Sequence, residues 1–208
     1  GPLRTAVPSD RECCLGPEEF LAAYLRHGNW VLSQSTIYRR EAVAESGVFE
    51  PDSGLKWHFD GYKVFFAGAK HGACFIPEPL IMWRRLENSF GFQSLTEGGL
   101  GGSVEHTEIL ERHLRGPRCE GLFPEEFFES LWRQTVAAAI YEYSRRRPDD
   151  LKDLLLLEPR LRRPSWLDRA YFAGLRRGWA GLGATKAYLT MLKPWPERWR
   201  ILRGKLPG

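Results

Sequence analysis

The sequence has few of the residue patterns that identify a protein class at sight. Its 208 residues include only four cysteines, Cys13, Cys14, Cys74 and Cys119. The first two are adjacent and no Cys-x-x-Cys pair occurs, so neither a zinc site nor a disulfide framework is predicted. Cys74 stands in an apolar stretch and is expected to be a buried packing residue. A reducing compartment, the cytoplasm, is the expected location.

Long hydrophobic runs are also missing. No stretch of about 18 apolar residues occurs, so we predict no membrane-spanning helix. Hydrophobic residues make up 43% and charged residues 27% of the chain, which excludes a disordered or collagen-like protein. No metal site is predicted, because His106 and His113 lie seven residues apart and not at the i, i+4 spacing typical of metal-binding helices.

Acidic residues are scarce in one part of the chain. Residues 160–208 contain twelve Lys and Arg but only Asp168 and Glu197, a net charge of +10, whereas residues 1–159 carry −6. An evenly mixed surface does not produce such an asymmetry, so the C-terminal quarter is a candidate contact with an anionic partner.

Tryptophans are interleaved with these basic residues, at Trp166, Trp179, Trp195 and Trp199. This combination is typical of a helix that lies on anionic lipid. An anionic membrane surface, reached peripherally from the cytoplasmic side, is therefore a candidate partner. The alternative is a solvated helical bundle with the tryptophans in its core. Nucleic acid is not expected, because no nucleic-acid-binding motif accompanies the charge.

Hydrophobic periodicity predicts a mixed α/β first half and an all-α second half. In the first half, helices are predicted at 17–27, 39–46 and 60–71, and strands at 29–38, 73–76 and 80–83. In the second half, helices are predicted at about 103–114, 124–147 and 148–157, with short basic helices beyond. The glycine-rich segment 97–103 predicts a linker, which divides the chain into parts 1–96 and 104–208.

Asp60 is the candidate catalytic residue. It stands at the start of the predicted helix 60–71, shortly after Trp57 and His58. The helix dipole favours the charged form of a carboxylate at this position, and a charged carboxylate in a cleft can take a proton from a hydroxyl nucleophile. Trp57 and His58 are then candidates for contact with the substrate. The alternatives are that Asp60 only caps the helix and that His58 is an ordinary surface residue.

A series of motifs surrounds this aspartate. Ser-x-hydrophobic-Tyr-Arg-Arg at 35–40 is followed by Gly-Val-Phe-Glu at 47–50, and an aspartate opens a helix about ten residues later. Ile-Pro-Glu-Pro-Leu-x-x-Trp-Arg follows at 76–84, and Asn-Ser at 88–89. In order and spacing, these motifs resemble the C-terminal half of a family 2 glycosyltransferase of the GT-A fold, over about 60 of the 208 residues. The resemblance implies a partial GT-A-like mixed sheet with helices.

The resemblance also implies roles for two residues. Asp60 falls on the family's general base, which activates an acceptor hydroxyl for inverting transfer from a nucleotide sugar. Arg84 falls on the arginine often found near the donor phosphates. Phe59 stands where many members have a glutamate, and Leu86 where many have a histidine.

The nucleotide-binding half of the family's domain is not found in this sequence. That half carries an Asp-x-Asp motif for a divalent metal, Mn or Mg, and no Asp-x-Asp occurs here. The 27 residues before Gly28 are too few for it, since it needs roughly 100. We therefore expect a fragment that holds no cofactor itself and is inactive alone.

In the full-length protein, the expected partners are a nucleotide-sugar donor and a glycan or lipid-linked acceptor. The alternative function is a non-catalytic helical module that binds a membrane surface or another protein, with the α/β part as a scaffold.

Overall fold

The computed structural model describes residues 9–28, 31, 35–50, 55, 59–78, 80 and 99–192, which belong to two compact units. The N-terminal unit comprises the described residues up to Leu80 together with 105–130, and the C-terminal unit comprises 99–104 and 131–192. Helices dominate both units. In the described part of the chain, the sheet structure is a single antiparallel pair of strands.

The elements follow one another in a simple order. The N-terminal elements are β1 (Cys13–Leu15), α1 (Pro17–His27), α2 (Arg40–Ser46), α3 (Phe59–His71) and β2 (Ala73–Phe75). Then come α4 (Gly99–Leu114), a short 3₁₀ helix (Pro117–Cys119), α5 (Glu125–Arg146), a long 3₁₀ helix (Leu151–Arg160), α6 (Trp166–Arg176) and α7 (Leu182–Met191).

Strand β1 pairs antiparallel with β2, and Cys14 lies directly opposite Cys74 in the ladder. These two cysteines form a disulfide. The prediction of no disulfide is therefore wrong, and so is the prediction that Cys74 is buried, because both cysteines are exposed. Spacing along the chain could not reveal the pair, since 60 residues separate its members and only the strand pairing brings them together.

Helix α1 is confirmed at the predicted bounds. Pro17 suits the first helical turn because the missing N–H would have no partner there. The Glu19 carboxylate accepts a hydrogen bond from the Gly16 N–H at 2.8 Å. At the other end, Gly28 has φ 78°, a conformation that glycine adopts without strain.

The N-terminal core is built on aromatic rings from three helices. Tyr24 of α1 lies 5.1 Å from the ring of Phe65 in α3 and 4.8 Å from that of Phe127 in α5. Phe20 packs over Gly68 so closely that a Cβ at Gly68 would overlap its ring. Residue 68 must therefore be small for α1 and α3 to approach each other.

The helices predicted at 39–46 and 60–71 are confirmed as α2 and α3. Each is followed by a glycine with positive φ, Gly47 at 65° and Gly72 at 79°. The strand predicted at 29–38 is wrong for the residues described: Val31 and residues 36–38 are not in a strand. A strand's propensity comes from packing on neighbours, and Ile37 is fully exposed. The strand predicted at 80–83 lies outside the described residues apart from Leu80.

The C-terminal unit is helical, as predicted for this region. Its core draws on the start of α4, the second part of α5, the long 3₁₀ helix, α6 and α7, with these fully buried side chains: Val136, Ile140, Leu154, Leu157, Phe172 and Leu175. Helix α4 begins at Gly99 and not near Ser103, so part of the glycine-rich segment is helical. The division of the chain at that segment stays a prediction.

The helix predicted at 148–157 is a 3₁₀ helix at Leu151–Arg160. Its leucines explain the difference. Leu151, Leu154 and Leu157 are the buried ones. In a 3₁₀ helix, residues three apart lie directly above one another, whereas in an α-helix of 3.6 residues per turn a repeat of three drifts around the axis. No helix within the described residues is long and apolar enough to cross a membrane.

Candidate functional site

Asp60 lies in the first turn of α3, as its second residue. Its side chain is 45% exposed, and its Oδ1 lies 2.9 Å from the Nζ of Lys63, one turn further along the helix. The carboxylate thus lies at the positive end of the helix dipole and next to an ammonium group. The geometry therefore presents a water-accessible carboxylate, which a general base needs to be in order to reach a hydroxyl group.

Lys63 is held more firmly than an ordinary surface lysine. Its side chain is only 16% exposed. The Nζ lies 5.1 Å from the ring centroid of Tyr38 and 5.1 Å from that of Phe59, within the range of cation–π attraction. Two rings and one carboxylate thus fix the ammonium group, which in turn fixes Oδ1 of Asp60.

Tyr38 connects this arrangement to the motif at 35–40. The phenol ring beside Lys63 comes from the Tyr-Arg-Arg end of that motif, and Asp60 lies 22 residues further on. Lys63 therefore contacts both the motif at 35–40, through Tyr38, and the candidate base Asp60.

The turn after α2 is held by Arg118, a residue of the same N-terminal unit. Glu50 accepts a hydrogen bond from Nη2 of Arg118 at 2.6 Å. The Arg118 guanidinium also lies against Gly47, so closely that a Cβ there would collide with it. Glycine is therefore required at position 47 both for its φ of 65° and for its lack of a side chain.

Helix α3 is fixed behind the site by a buried polar pair. The Tyr62 hydroxyl lies 3.7 Å from Sγ of Cys119. Burial raises the pKa of both groups above their ordinary values. Both therefore stay neutral at physiological pH, so the pair positions α3 and offers no reactive thiolate.

Asp60 is the one predicted site residue within the described part of the chain. Trp57, His58 and Arg84 lie outside the described residues. Sequence reasoning missed Lys63 and Arg118. Lys63 carried a usable signal, because it follows Asp60 by three residues and must share its helix face. Arg118 carried none, since it is 68 residues from Glu50.

A second carboxylate, Asp168 in the C-terminal unit, has a perturbed pKa but a structural role. Its side chain is 0% exposed. Burial alone would raise its pKa, but hydrogen bonds from Ser165, Tyr188 and Arg133 outweigh burial and lower the pKa below the ordinary value. A buried carboxylate with its donors already in place has no route to a substrate, so we assign it to folding.

The basic C-terminal quarter, residues 160–208, does not bury its first two tryptophans. Trp166 is 77% exposed and Trp179 is 78% exposed. The alternative that places the tryptophans in a bundle core is therefore wrong for these two. Trp195 and Trp199 lie outside the described residues.

Neither a metal centre nor a known relative adds residues to this site. Among the described residues, no group of three or more His, Cys, Asp and Glu side chains could hold a metal ion. No protein-family model, no curated protein and no solved structure matches the chain.

Proposed function

We propose that this chain is the acceptor-side part of a family 2-like glycosyltransferase of the GT-A fold and that Asp60 is its general base. The observation that carries the proposal is the Asp60–Lys63 pair: a half-exposed carboxylate in the first turn of α3, held at 2.9 Å by a largely buried lysine. The order of motifs from residue 35 to residue 89 supports the same assignment.

The proposed reaction is a single displacement. The acceptor hydroxyl attacks the anomeric carbon of the sugar, its proton passes to the carboxylate of Asp60, and the bond from the anomeric carbon to the diphosphate oxygen breaks. The nucleoside diphosphate leaves with the electron pair of that bond. Attack from the face opposite the leaving group inverts the anomeric centre.

Lys63 has a supporting part in this proposal. The ammonium group lies 2.9 Å from Oδ1, and this contact limits rotation of the carboxylate. The rings of Tyr38 and Phe59 also contact the ammonium group, and these contacts oppose rotation of the Lys63 side chain into solvent. Orientation of a catalytic group in this way is a recognised source of rate enhancement.

The donor side of the reaction would come from other residues. The resemblance implies a divalent metal, Mn or Mg, which is expected to be held by the family's nucleotide-binding half and not by the residues of this chain. Arg84 remains the candidate for contact with the donor phosphates, and Trp57 and His58 remain candidates for contact with the acceptor. Peripheral attachment to a membrane surface is part of the proposal, whereas the cytoplasmic location was expected from the absence of a disulfide and loses that support with the Cys14–Cys74 bond.

The test is transfer by the full-length protein with Asp60→Asn. Loss of a general base lowers kcat about 10²–10⁴-fold, and donor affinity is expected to stay unchanged because Asp60 faces the acceptor. Glu41→Gln is the matched control, since Glu41 is the first-turn carboxylate of α2 in the same unit. Lys63→Met is expected to lower kcat less than Asp60→Asn does.

Thermal unfolding of each variant separates catalysis from folding. If Asp60→Asn keeps full turnover and only lowers the melting temperature, Asp60 is a helix-terminal residue and the proposal is wrong. An equal loss of kcat in Glu41→Gln would also contradict it.

A further inference from the structure

The exposed side of α6 combines arginine, alanine and tryptophan. Positions that follow each other by three or four residues share one face of a helix. On α6 and its C-cap they are Trp166, Arg169, Ala170, Ala173, Arg176 and Arg177, which we call the basic face. The opposite positions are the buried ones: Asp168, Tyr171, Phe172 and Leu175. The helix is therefore anchored on one side and presents arginine, alanine and tryptophan on the other.

Acidic residues are scarce in the sequence around this surface. Between residues 160 and 192 there are seven Lys and Arg but a single acidic residue, Asp168, which is 0% exposed. Arg176 forms an ion pair with Glu158. Neither Arg169 nor Arg177 has an ion-pair partner among the residues that the structure describes.

The two exposed tryptophans stand at the two ends of α6. Trp166 opens the helix, and Trp179 follows its end, where Gly178 with φ 73° reverses the chain. The backbone N–H of Trp179 donates a hydrogen bond to the Gly174 carbonyl at 2.9 Å. The Arg177 guanidinium lies 5.5 Å from the centroid of the Trp179 indole ring. Trp179 is thus held in position while 78% of it is exposed.

We propose that the basic face of α6, with Trp179, binds the surface of an anionic lipid bilayer. Tryptophan prefers the headgroup region, where its ring is apolar and its N–H is hydrated, and arginine is attracted by anionic headgroups. The alanines between the arginines have small side chains, so the helix backbone can come close to the lipid surface. A nucleic-acid duplex would also attract the charge, but its bases are already stacked on one another and leave no role for two exposed indoles at the helix ends. The proposal uses different residues from the Asp60 site and stands independently of glycosyl transfer.

The experiment is co-sedimentation of the chain with vesicles of phosphatidylcholine mixed with phosphatidylserine, and with vesicles of phosphatidylcholine alone. Binding to the mixed vesicles only, weakening as salt rises, is the expected result, because surface potentials fall off within a Debye length of about 8 Å at physiological salt. Arg169→Gln/Arg177→Gln is expected to weaken it roughly 30-fold, the equivalent of about 2 kcal/mol for two charges.

Trp166→Ala/Trp179→Ala tests the apolar contribution. We expect binding roughly tenfold weaker at low and at high salt, since the apolar term is not screened. Arg26→Gln/Arg112→Gln is the matched control: it removes the same charge from the last turns of α1 and α4, in the N-terminal unit, and should bind as the unaltered chain does. Asp60→Asn should also bind normally, which separates this proposal from the proposed catalytic function.

Three results overturn the inference. They are equal binding to both kinds of vesicle or to neither, an equal loss in the Arg26→Gln/Arg112→Gln control, and displacement from vesicles by a nucleic-acid duplex that binds more tightly than the lipid. The last result would assign the basic face to nucleic acid.

Discussion

Replacing Asp168 is expected to destabilise the C-terminal unit more than any surface substitution. Oδ2 of Asp168 accepts hydrogen bonds from the Ser165 N–H at 2.6 Å, the Ser165 hydroxyl at 2.7 Å and Nη1 of Arg133 at 2.9 Å. Oδ1 accepts one from the Tyr188 hydroxyl at 2.8 Å. One carboxylate therefore joins the start of α6 to α5 and α7.

The size of the effect follows from what Asp168→Ala leaves behind. Removing one partner of a buried ion pair costs about 3–5 kcal/mol. The Arg133 side chain is 40% exposed and can turn toward water, which places the loss at the lower end, about 3 kcal/mol. With an m-value of about 2 kcal/mol per molar urea, the midpoint of unfolding should fall by about 1.5 M. Asp168→Asn keeps the shape but not the charge and should lose about 2 kcal/mol.

The assay is urea unfolding followed by circular dichroism at several pH values. Because the folded-state pKa of Asp168 is lowered, its stabilisation is fully present above the ordinary value of 3.8 and is lost as the pH falls below it. The difference between the unaltered chain and Asp168→Asn should therefore be constant near neutrality and shrink in acid. Glu142→Gln is the control, since Glu142 is a 40% exposed residue of the same unit whose contact with Arg146 is 3.8 Å. A midpoint for Asp168→Ala no lower than that of the control would refute the reasoning.

Two further substitutions test the N-terminal unit by the same measurement. Cys74→Ser removes a disulfide between residues 60 positions apart and should lower the free energy of unfolding by about 4 kcal/mol, because the unfolded chain gains loop entropy. Cys13→Ser, which removes a free cysteine, should change little. Equal unfolding midpoints with and without reductant would contradict the disulfide. Gly47→Ala should cost more than the roughly 1 kcal/mol of backbone strain, because the Arg118 guanidinium fills the space beside Gly47. Gly121→Ala, with φ 75° and nothing within 4 Å of an added Cβ, isolates the strain alone, so an equal loss in the two variants would exclude the steric part.

Local signals predict the helices of the N-terminal unit well. Pro17 and Gly28 mark the ends of α1, and Gly47 and Gly72 mark the ends of α2 and α3. These residues act through their own backbone conformations, which depend on nothing distant. For the same reason Asp60 can be placed at a helix start from the sequence alone.

Partners far apart in the chain are not predictable in the same way. Nothing in the spacing pairs Cys14 with Cys74, Glu50 with Arg118, or Tyr62 with Cys119, since only the packing of separate elements brings them together. The segment 29–38 has the composition of a strand, but composition does not supply a neighbouring strand, and Val31 and residues 36–38 are not in one.

The charge of the C-terminal quarter can be read from the sequence, whereas the burial of its side chains depends on tertiary packing. The excess of basic residues after position 160 is a property of the sequence, and it is enough to predict an anionic partner. Whether the tryptophans in that region are core or surface depends on which face of α6 meets the hydrophobic core, and the burial of Tyr171, Phe172 and Leu175 leaves Trp166 exposed. Composition determined the charge, and tertiary packing decided which side chains display it.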